Sequence, residues 1–355
     1  MKTVIKAEKL KESLAVLESS RQFDSSLFNL VYNKAALLIN QLIRSQMYPS
    51  DSQKHMIVRN TIENIVSFQG RRGTGKTSAM LSVREEMKQR GKGSRWWRAL
   101  EHIGGEKREE KYGYDEAYEY EERYAKKYNS KCSFVVIDYI DASMLERGED
   151  ILELILANMF SLLQEKDKEE KKEKIRYENR ELYADFANIF GILTNVKKHS
   201  GANSEMSSLQ KLAQLSNSQI LGSKIERLVK NYLKYMLEDE KAYAMGASFL
   251  VIAIDDIDMH FQKEGGSPYE LLETLHRYLM IPNVIILVSY DYTNLCRGCE
   301  KHFFEIYHEK LMMQEEDIKF IRELSNAYLN KILPNYTRIH MPSLRKRDYE
   351  EADEK

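Results

Sequence analysis

The sequence predicts an α/β fold in which helices cover both faces of a parallel sheet. Its strand candidates are continuous apolar runs such as SFLVIAI (Ser248–Ile254), whereas a strand with one wet face alternates apolar and polar residues. Segments with apolar residues three and four positions apart separate these runs and indicate helices. Because strand and helix alternate along the chain, a parallel sheet is favoured over an antiparallel one.

The composition excludes several classes of protein. A length of 355 residues indicates about two domains or one large domain. Lys and Arg number 54 against 55 Asp and Glu, and this balance excludes a generally basic nucleic-acid coat. A hydrophobic fraction of 43% excludes global disorder. No apolar run reaches the ~18 residues of a membrane helix, and three cysteines make no disulfide framework. We therefore expect a cytoplasmic protein that does not contact the membrane.

The predicted elements divide the chain into three parts. Residues 1–56 form a helical N-terminal segment, 57–344 form the core, and 345–355 form a charged tail. Two insertions interrupt the core, one charged and aromatic at 91–131 and one helical at 165–245. Strands are predicted at Ile62–Gly70, Cys132–Ile140, Ser248–Ile254, Asn283–Tyr290 and Thr337–Met341, and helices at Thr77–Arg90, 148–164, Ile225–Leu237, Glu270–Met280 and within 292–332.

A glycine-rich turn follows the first strand. It fits the phosphate-loop pattern G-x-x-x-x-G-K-[ST] without a mismatch, and a helix follows it. Its glycines let backbone N–H groups turn toward phosphates, and the helix N-terminus adds positive potential. Lys76 is predicted to bind the β- and γ-phosphates, and Thr77 to give its hydroxyl to Mg²⁺. The predicted binding residues are Gly70, Arg71, Arg72, Gly73, Thr74, Gly75, Lys76, Thr77 and Ser78.

Polar residues end two of the later strands. Asp255 and Asp256 follow the apolar run LVIAI, at the strand end where open α/β sheets bind ligands. We predict that Asp255 holds Mg²⁺, directly or through its water shell, and that Asp256 orients or deprotonates the attacking water. Ser289 ends the next strand and is a candidate contact to the γ-phosphate or the water. Asp258 is predicted to cap the turn after the acidic strand.

These motifs together resemble the additional-strand P-loop ATPases, which include AAA+ and STAND proteins. IDDID, LLETLHRYLMIPNVIILVSYD (Leu271–Asp291) and YLNKILPNYTRIHMPSL (Tyr328–Leu344) are similar to KAP/STAND-like ATPases of bacterial defence, the RADAR anti-phage ATPase family among them. The resemblance implies a three-layer fold with a five-stranded sheet in the order 5-1-4-3-2, ATP and Mg²⁺ as ligands, and a partner effector protein. It also implies a homo-oligomer such as a ring, in which a cationic side chain of the neighbour, commonly arginine, completes each site; the candidate positions are Arg277, Lys331 and Arg338.

The C-terminal end departs from that resemblance. Thirteen residues follow Pro342, too few for a lid of several helices of ~10–14 residues each. We therefore expect the lid to be absent. The N-terminal helices or a partner would then take its role, unless the chain is a fragment of a longer protein.

The sequence leads to one function and two alternatives. The first is Mg²⁺-dependent ATP hydrolysis that drives a conformational or assembly change in bacterial anti-phage defence. The second is a weakly hydrolysing or non-hydrolysing nucleotide switch or scaffold. It is favoured by the missing lid and by Asp256, an aspartate in place of the longer glutamate. The third is a nucleic-acid-stimulated motor or loader, which would bind through Arg95, Trp96, Trp97 and Arg98.

Overall fold

A computed structural model describes residues 28–47, 63–89, 132–145, 149–169, 180–200, 208–237, 248–262, 267–308 and 315–342. The helices are α1 Asn29–Met47, α2 Lys76–Gln89, α3 Ile151–Glu169, α4 Arg180–Ser200, α5 Ser208–Met236, α6 Pro268–Tyr278, α7 Tyr292–Tyr307 and α8 Glu315–Ile332. The strands are β1 Ile65–Gln69, β2 Ser133–Val136, β3 Ile140–Asp141, β4 Ser248–Asp255, β5 Val284–Tyr290 and β6 Arg338–His340. Short 3₁₀ turns occupy Ala142–Met144, Ile257–Gln262 and Asn335–Thr337.

The strands of the described residues form a parallel sheet in the order β6-β1-β5-β4-β2, and β3 also pairs with β4. When β2 and β3 are counted as one strand, this order is the predicted 5-1-4-3-2. Since all pairs are parallel, the carboxyl ends of the strands lie along one edge of the sheet. The glycine-rich turn after β1, Asp255 and Ser289 therefore come to the same edge.

Both faces of the sheet are buried beneath helices. One face packs on α1 and α2 through an apolar cluster that includes Ile39 and Met80. The other face packs on α3 to α8 through a second cluster that includes Leu152 and Leu272. Alternate residues of β4 enter the two clusters, and every residue of β4 is buried. This two-sided burial explains the continuous apolar run in the sequence and confirms the three-layer fold.

The region Cys132–Ile140 differs from its prediction as one strand. It contains two strands, β2 and β3, and adds a sixth strand to the predicted five within the described part of the chain. The break has its cause in another layer, because Nε and Nη2 of Arg84 on α2 donate to the Ile137 carbonyl at 3.2 and 2.8 Å. The next residue, Asp138, turns outward and pairs with Arg84 at 3.5 Å. The chain rejoins β4 only at Ile140.

Smaller differences occur at the two ends of the core. Helix α1 is the part of the predicted helical segment 1–56 that lies within the described residues. The last strand begins at Arg338 rather than Thr337, because Thr337 closes a 3₁₀ turn. Its backbone N–H and Oγ1 both bond the Pro334 carbonyl, at 3.0 and 2.9 Å.

Helices α3, α4 and α5 build a layer beyond the sheet, and α4 and α5 fall within the predicted insertion 165–245. Phe186 of α4 makes edge-to-face contacts with Phe160 and Tyr232, at centroid distances of 5.3 and 6.2 Å. The Tyr232 hydroxyl donates to the Met159 carbonyl at 2.9 Å. Among the helices that the structure describes, none has the length and apolarity needed to cross a bilayer.

Candidate nucleotide-binding site

The backbone between β1 and α2 curls into a loop that requires glycine. Gly73 and Gly75 have φ values of +82° and +81°, which side chains disfavour. The loop begins at Gly70, whose N–H donates to the Tyr290 carbonyl at 3.2 Å. It is braced inside by Thr74, whose Oγ1 donates to the Arg71 carbonyl at 2.8 Å. The predicted motif thus forms a glycine turn at the N-terminus of α2, a conformation that suits an anion.

Lys76 connects this loop to the acidic strand. It begins α2 and is only 7% exposed, and its Nζ donates to the Arg71 carbonyl at 3.2 Å. Its charge acts on the carboxyls of Asp256 and Asp258 and opposes the rise of both pKa values. The fold therefore brings together a cation and carboxylates that are far apart in sequence. Thr77 and Ser78 follow Lys76 on the first turn of the same helix.

Ser289 and Asp255 form a hydrogen-bonded pair at the end of the sheet. Both are buried, at 0% and 5% exposure. The Ser289 hydroxyl donates to Asp255 Oδ1, and its oxygen accepts from the Asp256 backbone N–H at 3.2 Å. Because both hydrogen-bonding roles of the hydroxyl are used inside the protein, Ser289 orients the acidic pair in this structure. Its predicted contact to the γ-phosphate would require the bond to Asp255 to break, whereas the second lone pair of the hydroxyl oxygen can still accept from a water.

Asp256 stands out from its neighbours in backbone and in charge. Its φ is +48°, in the left-handed region, and its side chain is half-buried. Burial and, to a lesser extent, the neighbouring carboxyls of Asp255 and Asp258 together raise its pKa to about 6, and the charge of Lys76 opposes this rise. A carboxyl with a pKa near neutrality can accept a proton from water more readily than an ordinary aspartate.

Asp258, the residue predicted to cap the turn after β4, joins that turn to the start of α7. It is 2% exposed, and its Oδ1 accepts from the Asp291 backbone N–H at 3.0 Å. Its Oδ2 accepts from Asn294 Nδ2 at 3.3 Å. Asp291 in turn caps α7 by accepting from the Thr293 N–H at 2.9 Å. Asp258 therefore ties the turn after β4 to the start of α7, and burial raises its pKa.

A further carboxyl at this edge escaped the sequence analysis. Asp141 lies beside Asp255 in the β3–β4 register, and its charge contributes to the raised pKa of Asp256. Its Oδ1 accepts from the backbone N–H and hydroxyl of Ser143, at 2.9 and 2.6 Å. The signal was present in the letters IDYID, an apolar strand that ends in aspartate as β4 does.

The three candidates for an intersubunit cation occupy different environments. Arg338 is 3% exposed, and its Nε donates to the Leu333 carbonyl at 2.7 Å. The guanidinium also lies 4.7 Å from the Tyr292 ring centroid, so Arg338 is engaged inside the domain and unavailable to a neighbour. Arg277 is exposed on α6 and pairs with Glu273 at 3.4 Å. Lys331 is exposed at the end of α8.

The other predicted contacts divide between described and undescribed residues. Arg95, Trp96, Trp97 and Arg98 lie outside the described residues, as does the rest of 91–131.

The donors expected for Mg²⁺, the Thr77 hydroxyl and the Asp255 carboxylate, are the hard oxygen ligands that this cation takes together with phosphates and water. Asp255 accepts one hydrogen bond from Ser289 on Oδ1 and retains lone pairs for a cation. The residues present therefore fit the ion.

A glycine loop that leads into a helix, with a buried lysine facing strand-end aspartates, defines the class of P-loop NTPases. The family comparison agrees with that class. The chain belongs to the KAP family of P-loop domains, whose model matches residues 36–322. No curated protein matches the chain.

We expect the substitution Ser289→Ala to lower turnover about fivefold while nucleotide affinity stays within twofold, because it removes one hydrogen bond that orients Asp255, worth ~1 kcal/mol. The measurements are steady-state phosphate release and equilibrium nucleotide binding. Ser289→Thr, which keeps the hydroxyl, should retain more activity than the alanine variant. Equal activity of Ser289→Ala and the natural protein would show that the pair does not position the site.

Proposed function

We propose that this protein binds ATP with Mg²⁺ and hydrolyses it by water attack on the γ-phosphate, and that the cycle drives a conformational or assembly change. The observation that carries the proposal is the parallel register of β1, β5 and β4, which brings the glycine loop with Lys76 to the same edge of the sheet as Asp255 and Asp256. It joins a phosphate loop to an acidic strand end, which together make up the minimal site for phosphoryl transfer. The membership in the KAP family of P-loop domains supports nucleotide binding independently.

Each residue has a separate task in the proposed reaction. The backbone of residues 70–75 surrounds the phosphates, and Lys76 neutralises charge that builds up on their oxygens. Thr77 and Asp255 hold Mg²⁺, which supplies further charge neutralisation when it is bound. Asp256 orients the water and takes up its proton. Positioning and charge neutralisation supply most of the rate, since little covalent chemistry falls to the protein.

The proposal is tested by phosphate release from the full chain with ATP, in the presence and absence of Mg²⁺. We expect release that requires Mg²⁺ and that exceeds the rate of a Lys76→Ala sample prepared in parallel. Tight binding without release would favour the nucleotide switch instead. Release that rises strongly on addition of DNA or RNA would favour the motor, and that stimulation should weaken with added salt.

Turnover should depend on pH through Asp256. Its pKa is about 6 in the free protein, and the carboxyl must be ionised to accept a proton. We therefore expect kcat/KM, which reports the free enzyme, to be level above about pH 7 and to fall about tenfold per unit below pH 6. An ordinary aspartate would produce no change between pH 5 and 8.

The nucleotide itself titrates in the same range, so the pH experiment needs a binding control. ATP affinity of the Asp256→Asn variant over the same pH values reports the contribution of the nucleotide alone. A kcat/KM profile that runs parallel to this binding curve would remove Asp256 from the proton transfer.

A nucleotide switch is a second candidate function, because residue 256 is an aspartate. Aspartate is one methylene shorter than glutamate, so the reach of Asp256 to a water is smaller. On this alternative, nucleotide orders the loop and builds an assembly that presents a partner effector, with little turnover. The variant Asp256→Glu separates the two, because a longer carboxylate should raise turnover if reach limits the rate.

The biological role proposed here is bacterial anti-phage defence, with a homo-oligomer as the working form. It is supported by the likeness of IDDID and the later motifs to defence ATPases. Exposed Arg277 and Lys331 remain positions from which a neighbouring subunit could complete a site. Particle mass with and without ATP and Mg²⁺ tests the assembly, and a mass unchanged by nucleotide would contradict it.

A further inference from the structure

The position of the acidic strand sets the direction in which a triphosphate lies. In the sheet, β1 lies between β5 and β6, and β4 lies beyond β5. Asp256 follows β4 and therefore marks the γ-phosphate end of the site that the proposed function requires. A nucleotide held by the loop after β1 must then extend its nucleoside away from β4, toward β6 and the neighbouring helix α1, which packs against β6.

An aromatic side chain next to α1 contacts the loop. Phe28 immediately precedes α1 and is 6% exposed. A Cβ built on Gly75 would lie 2.6 Å from its Cζ, so the ring sits directly against this glycine of the loop. Tyr32 contacts the ring in an edge-to-face arrangement with centroids 6.4 Å apart. The orientation of Phe28 is therefore set before any ligand arrives.

A second apolar side chain covers the other end of the loop. Met341 directly follows β6, and its N–H donates to the Gln69 carbonyl at 2.8 Å. A Cβ built on Gly70 would lie 2.9 Å from Met341 Cβ, so this side chain contacts the first glycine of the loop. Met341 and Phe28 belong to the same apolar cluster, which also contains Phe68 of β1.

From this arrangement we propose that Phe28 and Met341 form an apolar wall that packs against the nucleoside of a bound nucleoside triphosphate. The inference rests on the proposed nucleotide binding. Both residues lie outside 36–322, the part of the chain that matches the family, so the family match does not account for them. A phenyl ring and a thioether chain pack on the face of any base. The wall therefore favours a nucleotide over bare tripolyphosphate and discriminates little between adenine and guanine.

The test compares two ligands that share their phosphates. Equilibrium affinities of the full chain for Mg²⁺–ATP and Mg²⁺–tripolyphosphate are measured in the natural protein and in Phe28→Ala. We expect Phe28→Ala to weaken ATP about tenfold, the loss typical when one base loses an aromatic contact, and to leave tripolyphosphate unchanged. Met341→Ala should shift the same ratio in the same direction. Leu30→Ala is the matched control, since Leu30 lies in the first turn of α1 and is 84% exposed; it should change neither affinity.

The outcomes separate failure of this inference from failure of the proposed function. If the natural protein binds neither ligand, nucleotide binding itself is wrong. If it binds both and Phe28→Ala leaves their affinity ratio unchanged, the wall is wrong and nucleotide binding stands. The conservative Phe28→Leu keeps apolar volume against Gly75. An equal loss of both ligands in Phe28→Ala and Phe28→Leu would show that the ring only shapes the loop, which also overturns the proposal.

Discussion

Replacing Lys76 by alanine is expected to weaken ATP binding at least a hundredfold. Lys76 is 7% exposed at the start of α2, directly after the glycine loop. A charge-assisted hydrogen bond to a desolvated phosphate is worth ~3 kcal/mol, which corresponds to about a hundredfold in affinity. Titration of the full chain with ATP and Mg²⁺ measures the effect, and phosphate release should disappear with binding.

The fold should survive this substitution. Burying an ammonium is costly, and in the structure Lys76 donates to the Arg71 carbonyl at 3.2 Å. The melting temperature of Lys76→Ala should therefore stay close to that of the natural protein. Lys88→Ala, which removes an exposed lysine from the last turn of the same helix, should bind ATP normally. Normal hydrolysis by Lys76→Ala would overturn the assignment of the site.

Asp256→Asn is expected to keep ATP binding and to lower turnover by a hundredfold or more. Asparagine has nearly the same shape, and it tolerates the left-handed φ of +48° at this position. It cannot take up the proton of the attacking water, and loss of a general base typically costs 10²- to 10⁴-fold. ATP binding should be equal or tighter, because a carboxylate no longer faces the γ-phosphate end of the site.

The stability of this variant provides a check on its folding. Burial raises the pKa of Asp256 in the folded protein from 3.8 to about 6, so between these values the folded state binds more protons than the unfolded one. Its contribution to stability is therefore favourable at low pH and is lost as pH rises toward 6. At neutral pH the carboxyl is ionised, and its burial lowers the stability of the folded protein. Asp256→Asn has no such charge, and it should melt at or above the temperature of the natural protein at neutral pH.

A matched carboxylate tests whether the effect belongs to the site. Asp138 also follows a strand of the sheet, but it is exposed and pairs with Arg84. Asp138→Asn should leave turnover within twofold of the natural value. If Asp256→Asn instead retained full turnover, the base would have to be another carboxyl of this edge, and Asp141 would be the first to test.

Local rules account for most of the architecture. The run from Ser248 to Ile254 had to be a doubly buried strand because each of its residues is apolar or small. The loop after β1 had to follow its glycines, since Gly73 and Gly75 adopt positive φ values. The break between β2 and β3 was beyond these rules, because it depends on Arg84 of α2 reaching the Ile137 carbonyl from another layer.

The amino-acid sequence on its own determined the three-layer parallel fold, the phosphate loop and the identity of its lysine and aspartates, because backbone conformation and burial period are properties of neighbouring residues. Only the tertiary structure decided how these groups act on each other. It turned Ser289 toward Asp255, tied Asp258 to α7, buried Arg338 and placed Phe28 on Gly75. Such contacts join residues tens to hundreds of positions apart, and the charge and direction of a side chain in them depend on packing that no local pattern encodes.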